Sequence, residues 1–320
     1  MLIRKARPWN LPESAVTPEA LVTGRRALMA AAGGALAAGP ALAQRAQPTT
    51  AQAAQPPLAG HARNLRFRPG RDITAEREAT TYNNFYEFGS HKGIWTEAQR
   101  LPLRPWRVRV DGLVGNPREF DIDDLLRLLP IEERVYRLRC VEAWAMTVPW
   151  SGFQLSELLR IVEPRPEARH VSFETAVVPS AMPGLRQSWY PWPHVEACTI
   201  EEAMNELTFI PVGMYGKPLP PQNGGPIRVV FPWKYGFKSG KSVVRITLGA
   251  ERPQTFWPRI QPAEYGFWAN VNPEVPHPRW SQATERLLGS GDRVPTRLFN
   301  GYAEFVGDMY GSLQRERLWA

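Results

Sequence analysis

The sequence predicts an α+β fold with mixed sheets, short helices and an irregular core. Three observations lead there. The chain carries 32 Pro and 25 Gly, which interrupt it too often for long helices. Several short runs alternate apolar and polar residues with the period of two expected of a half-buried strand. Strand-like and helix-like runs do not alternate regularly, so a doubly wound parallel sheet is not expected. No internal repeat is visible.

The elements follow in order. Residues 106–115 alternate and end in a turn signal, which predicts a strand. Asp121 is placed to cap a short helix over 122–129, stopped by Pro130. Residues 135–141 read as a strand, with Tyr136, Leu138 and Cys140 on one face and Arg137 and Arg139 on the other. A short helix over 155–162 is ended by Pro164, and a strand follows at 171–178. Thr199 and Glu202 form a capping-box pattern that opens another helix. Two further strands are expected at 226–232 and 241–248, joined by a Gly-bearing basic loop, 233–240.

The N-terminus reads as a targeting segment. Arg25-Arg26 precede an apolar Ala/Gly-rich run, and Ala41-Leu42-Ala43 is a small-residue cleavage pattern. Residues 1–43 are therefore expected to be a removable export signal. The paired arginines and weak hydrophobicity favour the twin-arginine route over an ordinary secretory one. Residues 44–60, rich in Ala, Gln and Pro, read as a flexible linker, leaving 61–320 as the folded domain. No later segment approaches the ~18 apolar residues of a spanning helix. The expected location is the periplasm. The net charge is +8, and three of those charges fall in the first 43 residues. Basic clusters with interleaved aromatics are missing, so nucleic acid is not an expected partner.

Only two cysteines occur, Cys140 and Cys198. Cys140 lies between Arg139 and Val141, and nearby positive charge stabilises a thiolate. A thiolate is a nucleophile or a soft metal ligand; in an oxidising compartment the two cysteines could instead pair. No Cys-x-x-Cys or His-x-x-x-His spacing exists, and the five histidines read as ordinary loop or surface residues. A metal at Cys140 would thus need a cofactor to supply its other ligands.

Three more segments suit such a cofactor. Residues 82–89, Tyr-Asn-Asn-Phe-Tyr-Glu-Phe-Gly, place amides, hydroxyls and a carboxylate among aromatics, as a polar heterocycle requires, although a turn before a buried strand would look the same. Pro-Pro-Gln-Asn-Gly-Gly-Pro-Ile-Arg at 220–228 pairs open backbone with Arg228, which can fork onto an anion. Lys234, Lys238 and Lys241 among Gly236, Ser239 and Gly240 suit a phosphate nest or a solvated basic hairpin.

Those motifs, with Arg-Cys-Val-Glu-Ala-Trp at 139–144, Pro-Trp-Lys-Tyr-Gly-Phe-Lys at 232–238 and two long matches at 264–273 and 277–286, resemble the periplasmic protein-methionine-sulfoxide reductase catalytic subunits. That family is molybdopterin-dependent and has the sulfite-oxidase fold. The resemblance covers nearly all of residues 61–320 and extends to the twin-arginine segment. It implies Cys140 as the molybdenum ligand and catalytic residue. It implies pterin or phosphate contacts from Asn83, Tyr86, Glu87, Thr175, Asn223, Arg228, Ser239, Gly240 and Lys241. It also implies one mononucleotide-free Mo-molybdopterin per chain. The implied reaction is oxygen-atom transfer from methionine sulfoxide in periplasmic proteins, with two electrons and two protons releasing water. The chain carries no heme or flavin motif, and the family draws its electrons from a heme-containing membrane subunit fed by quinol. Two alternatives are a sulfite dehydrogenase of the same fold and a cofactor-free periplasmic binding protein with Cys140 and Cys198 joined.

Overall fold

The computed structural model describes residues 58, 60–313 and 316–319. The readings of 1–43 as export signal and 44–60 as linker therefore lie outside the described residues, except at Leu58 and Gly60.

Two mixed sheets and seven short helices order the described residues, giving the α+β class expected. The first sheet runs β2 (Arg118–Asp121), β1 (Arg107–Gly112), β9 (Val243–Gly249), β5 (His170–Thr175), β6 (Val195–Thr199). Its β1–β9 pair is parallel and the rest are antiparallel. The second runs β11 (Arg293–Pro295), β10 (Thr284–Leu287), β4 (Trp144–Gln154), β7 (Phe209–Met214), β8 (Lys217–Pro218), and β3 (Glu132–Arg139) also pairs with β4. Only β10–β4 is parallel there.

β4 is the central strand, and its first ten residues are all buried. Trp150 and Phe153 are fully inaccessible and anchor the core. Gly152 has a steric cause: a Cβ there would stand 2.1 Å from the Ile210 carbonyl oxygen, where the β4–β7 register shifts. Only a glycine lets the two strands approach so closely.

The helices are short and capped as their sequences indicate. α1 is Glu76–Thr81 and α2 is Trp95–Ala98. At the start of α3 (Ile122–Leu128), Asp121 Oδ1 accepts from the Asp123 N–H at 2.9 Å. α4 (Leu155–Val162) buries Leu155, Leu158, Leu159 and Val162 on one face, the i, i+3, i+4, i+7 pattern of an amphipathic helix. The capping box at α5 (Ile200–Met204) is complete: Thr199 Oγ1 accepts from Glu202 N–H, and Glu202 Oε2 accepts from Thr199 N–H. α6 (Phe256–Ile260) and α7 (Ala303–Val306) complete the set.

Four of the five expected strands differ in extent, 241–248 becoming Val243–Gly249 among them, and the fifth does not form. The first spans Arg107–Gly112 rather than 106–115, and β5 ends at Thr175 rather than 178. β3 ends at Arg139, so Cys140 lies in the turn to β4 and not in a strand. Residues 226–232 form no strand; their one ladder contact is the isolated Phe209–Val230 bridge. Pro226 and Pro232 lack the N–H a strand needs, and Val229 N–H instead bonds the Gly240 carbonyl.

Candidate active site

The β3–β4 turn holds Cys140 in place. Cys140 N–H donates to the Trp144 carbonyl at 2.9 Å, and Ala143 N–H donates to the Cys140 carbonyl at 3.1 Å. Ala143 takes φ of +61°, which closes the turn. Leu138 of β3 and Cys140 in the turn both line a cleft, Tyr136 of the expected shared face does not, and Trp144 and Met146 of β4 join them there. The cleft encloses about 890 Å³, counting solvent at its mouth.

All ten residues expected from the sequence line this cleft: Asn83, Tyr86, Glu87, Cys140, Thr175, Asn223, Arg228, Ser239, Gly240 and Lys241. They come from four places in the chain. Asn83, Tyr86 and Glu87 lie in the turn after α1, Thr175 ends β5, and Asn223 to Lys241 come from the long irregular segment before β9. Gly224, with φ of +94°, reverses the chain after Asn223, and a Cβ there would press on Lys241.

The polar groups in this cleft are incompletely satisfied. The Asn83 and Asn223 amides both donate to the single Ala79 carbonyl, at 3.1 and 2.9 Å. Their Oδ1 atoms are buried with no hydrogen-bond partner, and so is Glu87 Oε1. Buried acceptors left this way are rare in folded proteins and call for a donor. Burial raises the Glu87 carboxyl above its usual range.

Two cations in the same cleft have no ion-pair partner among the described residues. Arg228 is 2 % exposed and donates to the backbone carbonyls of Asn223 and Ser239, at 2.7 and 3.3 Å. Burial alone pulls its pKa down. Burial, then Arg228, lowers the Lys241 ammonium to about 8, and Glu87 offsets this only in part. Each cation faces an aromatic ring, Trp150 and Phe85, both at 5.3 Å. No acceptor among the described residues takes the N–H groups of Gly240 and Lys241. Two cations and two open backbone donors make an anion site.

Burial, then Glu142, pushes the Cys140 thiol up to about 12. Arg139 and Lys92 lower it, but burial and Glu142 outweigh them. Arg139 points away and pairs with Glu285 at 2.9 Å, and Arg137 donates to the Asn300 carbonyl at 3.1 Å. Both are buried, so they serve the fold and not a docking surface. A thiol raised in this way becomes a thiolate when a metal takes the proton's place. Cys140 and Cys198 are both free and buried. Among the described residues no three His, Cys, Asp or Glu side chains converge on one point.

Residues that sequence reasoning missed complete the cleft. Asn84 Nδ2 lies 3.6 Å from Cys140 Sγ and 3.4 Å from Glu142 Oε2, and Lys92 bonds both Asn84 and Glu142. Burial opposes ionisation of Glu142, but Lys92, Asn84 and Trp144 outweigh it and hold the carboxyl below its usual range. His194, expected to be an ordinary loop residue, lines the cleft. It stacks on Phe256 at 4.2 Å, between Glu87 and Glu196. His277 is not a surface residue either; it is buried and stacks on Trp280 at 3.8 Å. The lysines of 233–240 are not a solvated hairpin or part of the nest. Lys234 pairs with buried Glu202, and Lys238 with Glu196 at 2.8 Å.

Comparison with known proteins decides what the cleft is for. Residues 96–257 match the oxidoreductase molybdopterin binding domain. Over 316 residues the chain is 48 % identical to the protein-methionine-sulfoxide reductase catalytic subunit of Burkholderia mallei, covering 96 % of this chain and 95 % of that one. The chain belongs to this reductase family. A looser likeness is to the sulfane dehydrogenase SoxCD of Paracoccus pantotrophus, at 17 % identity and a TM-score of 0.46, over 88 % of this chain and 67 % of the other.

The cofactor of this family member is a molybdenum molybdopterin, and the residues present fit it. A pterin has ring N–H donors for the orphaned oxygens of Asn83, Glu87 and Asn223. Its terminal phosphate is the anion that Arg228 and Lys241 lack. Its dithiolene adds sulfur ligands to the single thiolate of Cys140.

Proposed function

We propose that this chain reduces methionine sulfoxide in proteins to methionine, acting in the periplasm after twin-arginine export. The observation that carries the reading is one cleft lined both by a single buried thiol and by two cations that form no ion pair. Family membership supplies the chemistry: a molybdenum centre held there would provide oxygen-atom transfer from the sulfoxide.

Each residue has a defined task. Cys140 holds the metal. Asn83, Glu87 and Asn223 accept hydrogen bonds from the pterin, and Tyr86 and Thr175 flank it. Arg228, the Lys241 side chain and the open backbone N–H groups of Gly240 and Lys241 hold a single terminal phosphate, with Ser239 beside them, as a mononucleotide-free cofactor requires. Trp144, Trp257 and Tyr265 wall the cleft with apolar surface and limit water. The overall change is sulfoxide plus two electrons plus two protons to thioether plus water. The sequence carries no heme or flavin motif, and the donor proposed for those electrons is the heme-containing membrane subunit that the family resemblance implies. Sulfite oxidation is disfavoured: among the described residues Arg228 is the only arginine lining the cleft, and an anionic substrate calls for several.

The test is purification with a metal assay and turnover of peptide methionine sulfoxide using reduced viologen. The expected result is one molybdenum per chain and thioether product. Sulfite oxidation without sulfoxide reduction would overturn the reading.

A further inference from the structure

The cleft mouth continues into a ladder of aromatic rings that ends in solvent. Tyr86 and Trp257, which line the cleft, meet at 4.9 Å. Tyr86 also meets Tyr190 at 5.9 Å. Tyr190 in turn touches Trp192 at 5.3 Å and Trp189 at 5.8 Å. Trp189 is 71 % exposed, the most exposed large hydrophobic side chain among the described residues.

The segment that carries these rings is fixed to the cleft wall. Gly184 N–H donates to the Glu87 carbonyl at 2.8 Å, and its Cα packs so closely that a Cβ would stand 2.1 Å from the Tyr86 carbonyl oxygen. Trp192 Nε1 donates to the Gln187 carbonyl at 3.1 Å. Pro183, Pro191 and Pro193 remove backbone freedom around it. A rigid row of Trp and Tyr side chains offers large contact area at little entropic cost.

We propose that this ridge, built on Trp189, Tyr190 and Trp192, docks the apolar polypeptide flanking a methionine sulfoxide. The inference rests on the reductase reading above and names how that site takes its substrate. Methionine belongs to the residues most often buried, so its sequence neighbours are commonly apolar. An oxidised methionine is delivered to a cleft only when its segment is exposed, and its flanks are then exposed with it. Rings continuous with the mouth meet those flanks as the sulfoxide enters. Free methionine sulfoxide has no flanks and gains nothing from the ridge.

Two arms test this with Trp189→Ala and Trp189→Phe. In the turnover arm, reduced viologen drives three substrates: N-acetyl-methionine sulfoxide amide, a 15-residue peptide with one sulfoxide among Leu and Val, and the same peptide with Gly and Ser flanks. Trp189→Ala is expected to raise KM about tenfold for the apolar peptide alone, the loss typical of a truncated interface aromatic. The Phe variant is expected to recover most of it. In the binding arm, anisotropy of the dye-labelled, unoxidised apolar peptide is expected to show the same ranking without any turnover. Unchanged binding and KM in Trp189→Ala would overturn the proposal, as would equal losses on all three substrates. Slower turnover only when quinol-charged membranes supply the electrons would assign the ridge to the electron donor and overturn it too. A wild-type protein that binds the apolar peptide through Trp189 but reduces no sulfoxide would refute the reductase reading and leave the ridge standing.

Discussion

Two sets of cations lie in this domain, all buried except the half-buried Lys241, and they differ in what faces them. Lys234, Lys238 and Arg139 each meet a buried carboxylate, in Glu202, Glu196 and Glu285. Arg228 and Lys241 pair with none; Arg228 has backbone carbonyls and the Trp150 face, and Lys241 has the Phe85 face with Glu87 offsetting its burial only in part. A buried charge without a partner is costly, so a chain retains one only where something outside it completes the pair. The paired set therefore belongs to the fold, and the unpaired set belongs to the ligand.

Four experiments can break or sharpen that contrast. Cys140→Ser stands at the head because it removes the only thiolate in the cleft. Turnover is expected to vanish and molybdenum to be lost, a larger loss than the ~10–100-fold typical of a residue that merely orients a ligand. Retained metal in that variant would remove Cys140 from the ligand set.

Glu285→Leu addresses the paired set. It strands Arg139 and Arg71, which hold Glu285 at 2.9 and 2.6 Å. The expected loss is about 3–5 kcal/mol in denaturant unfolding. Turnover per folded, metal-loaded molecule is expected to stay near wild type. A stable variant with a dead site would place Glu285 in the wrong set.

Arg228→Met addresses the unpaired set. Losing a charge-assisted contact to phosphate is worth ~1.5–3 kcal/mol, so cofactor retention is expected to fall about 10- to 100-fold during dialysis. Undiminished retention would mean that no anion sits there.

The pH dependence of the cofactor-free protein is the smallest effect. Below about pH 8 the folded and unfolded chains both carry the Lys241 charge, and the folded one bears the cost of burying it. Above that value the folded lysine sheds its proton while the unfolded one keeps it. Stability is thus expected to rise from about pH 8 toward the ordinary lysine value. The rise is expected to be smaller in Lys241→Met, measured by thermal melts across that range. Identical slopes would show that Lys241 is not the titrating group.

The same contrast marks how far the sequence could be read. Local signals were legible: the Asp121 cap, the Thr199–Glu202 capping box and the shared face of Leu138 and Cys140 all depend on residues within four positions. The ten cleft residues were legible through motif resemblance, since no spacing rule joins Asn83 to Lys241. Pairing over distance was not legible. Lys234 and Lys238 in a Gly-bearing loop look alike whether they face a phosphate or two buried glutamates more than 30 positions away. His194 had no local sign of its role, because the residues that define it, Glu87 and Phe256, are remote in sequence. The missing strand at 226–232 turned on the backbone donors that Pro226 and Pro232 remove.

The most direct test sets Lys241→Met beside the wild type in two states. Cofactor-free protein, made in a host unable to synthesise molybdopterin, and cofactor-loaded protein are each melted, and molybdenum is counted in the loaded samples. An unpaired cation kept for a phosphate predicts a cofactor-free variant as stable as wild type or more so, with molybdenum occupancy sharply reduced. A cofactor-free variant that melts well below wild type while keeping full molybdenum would make Lys241 a structural residue and contradict the division between the two sets.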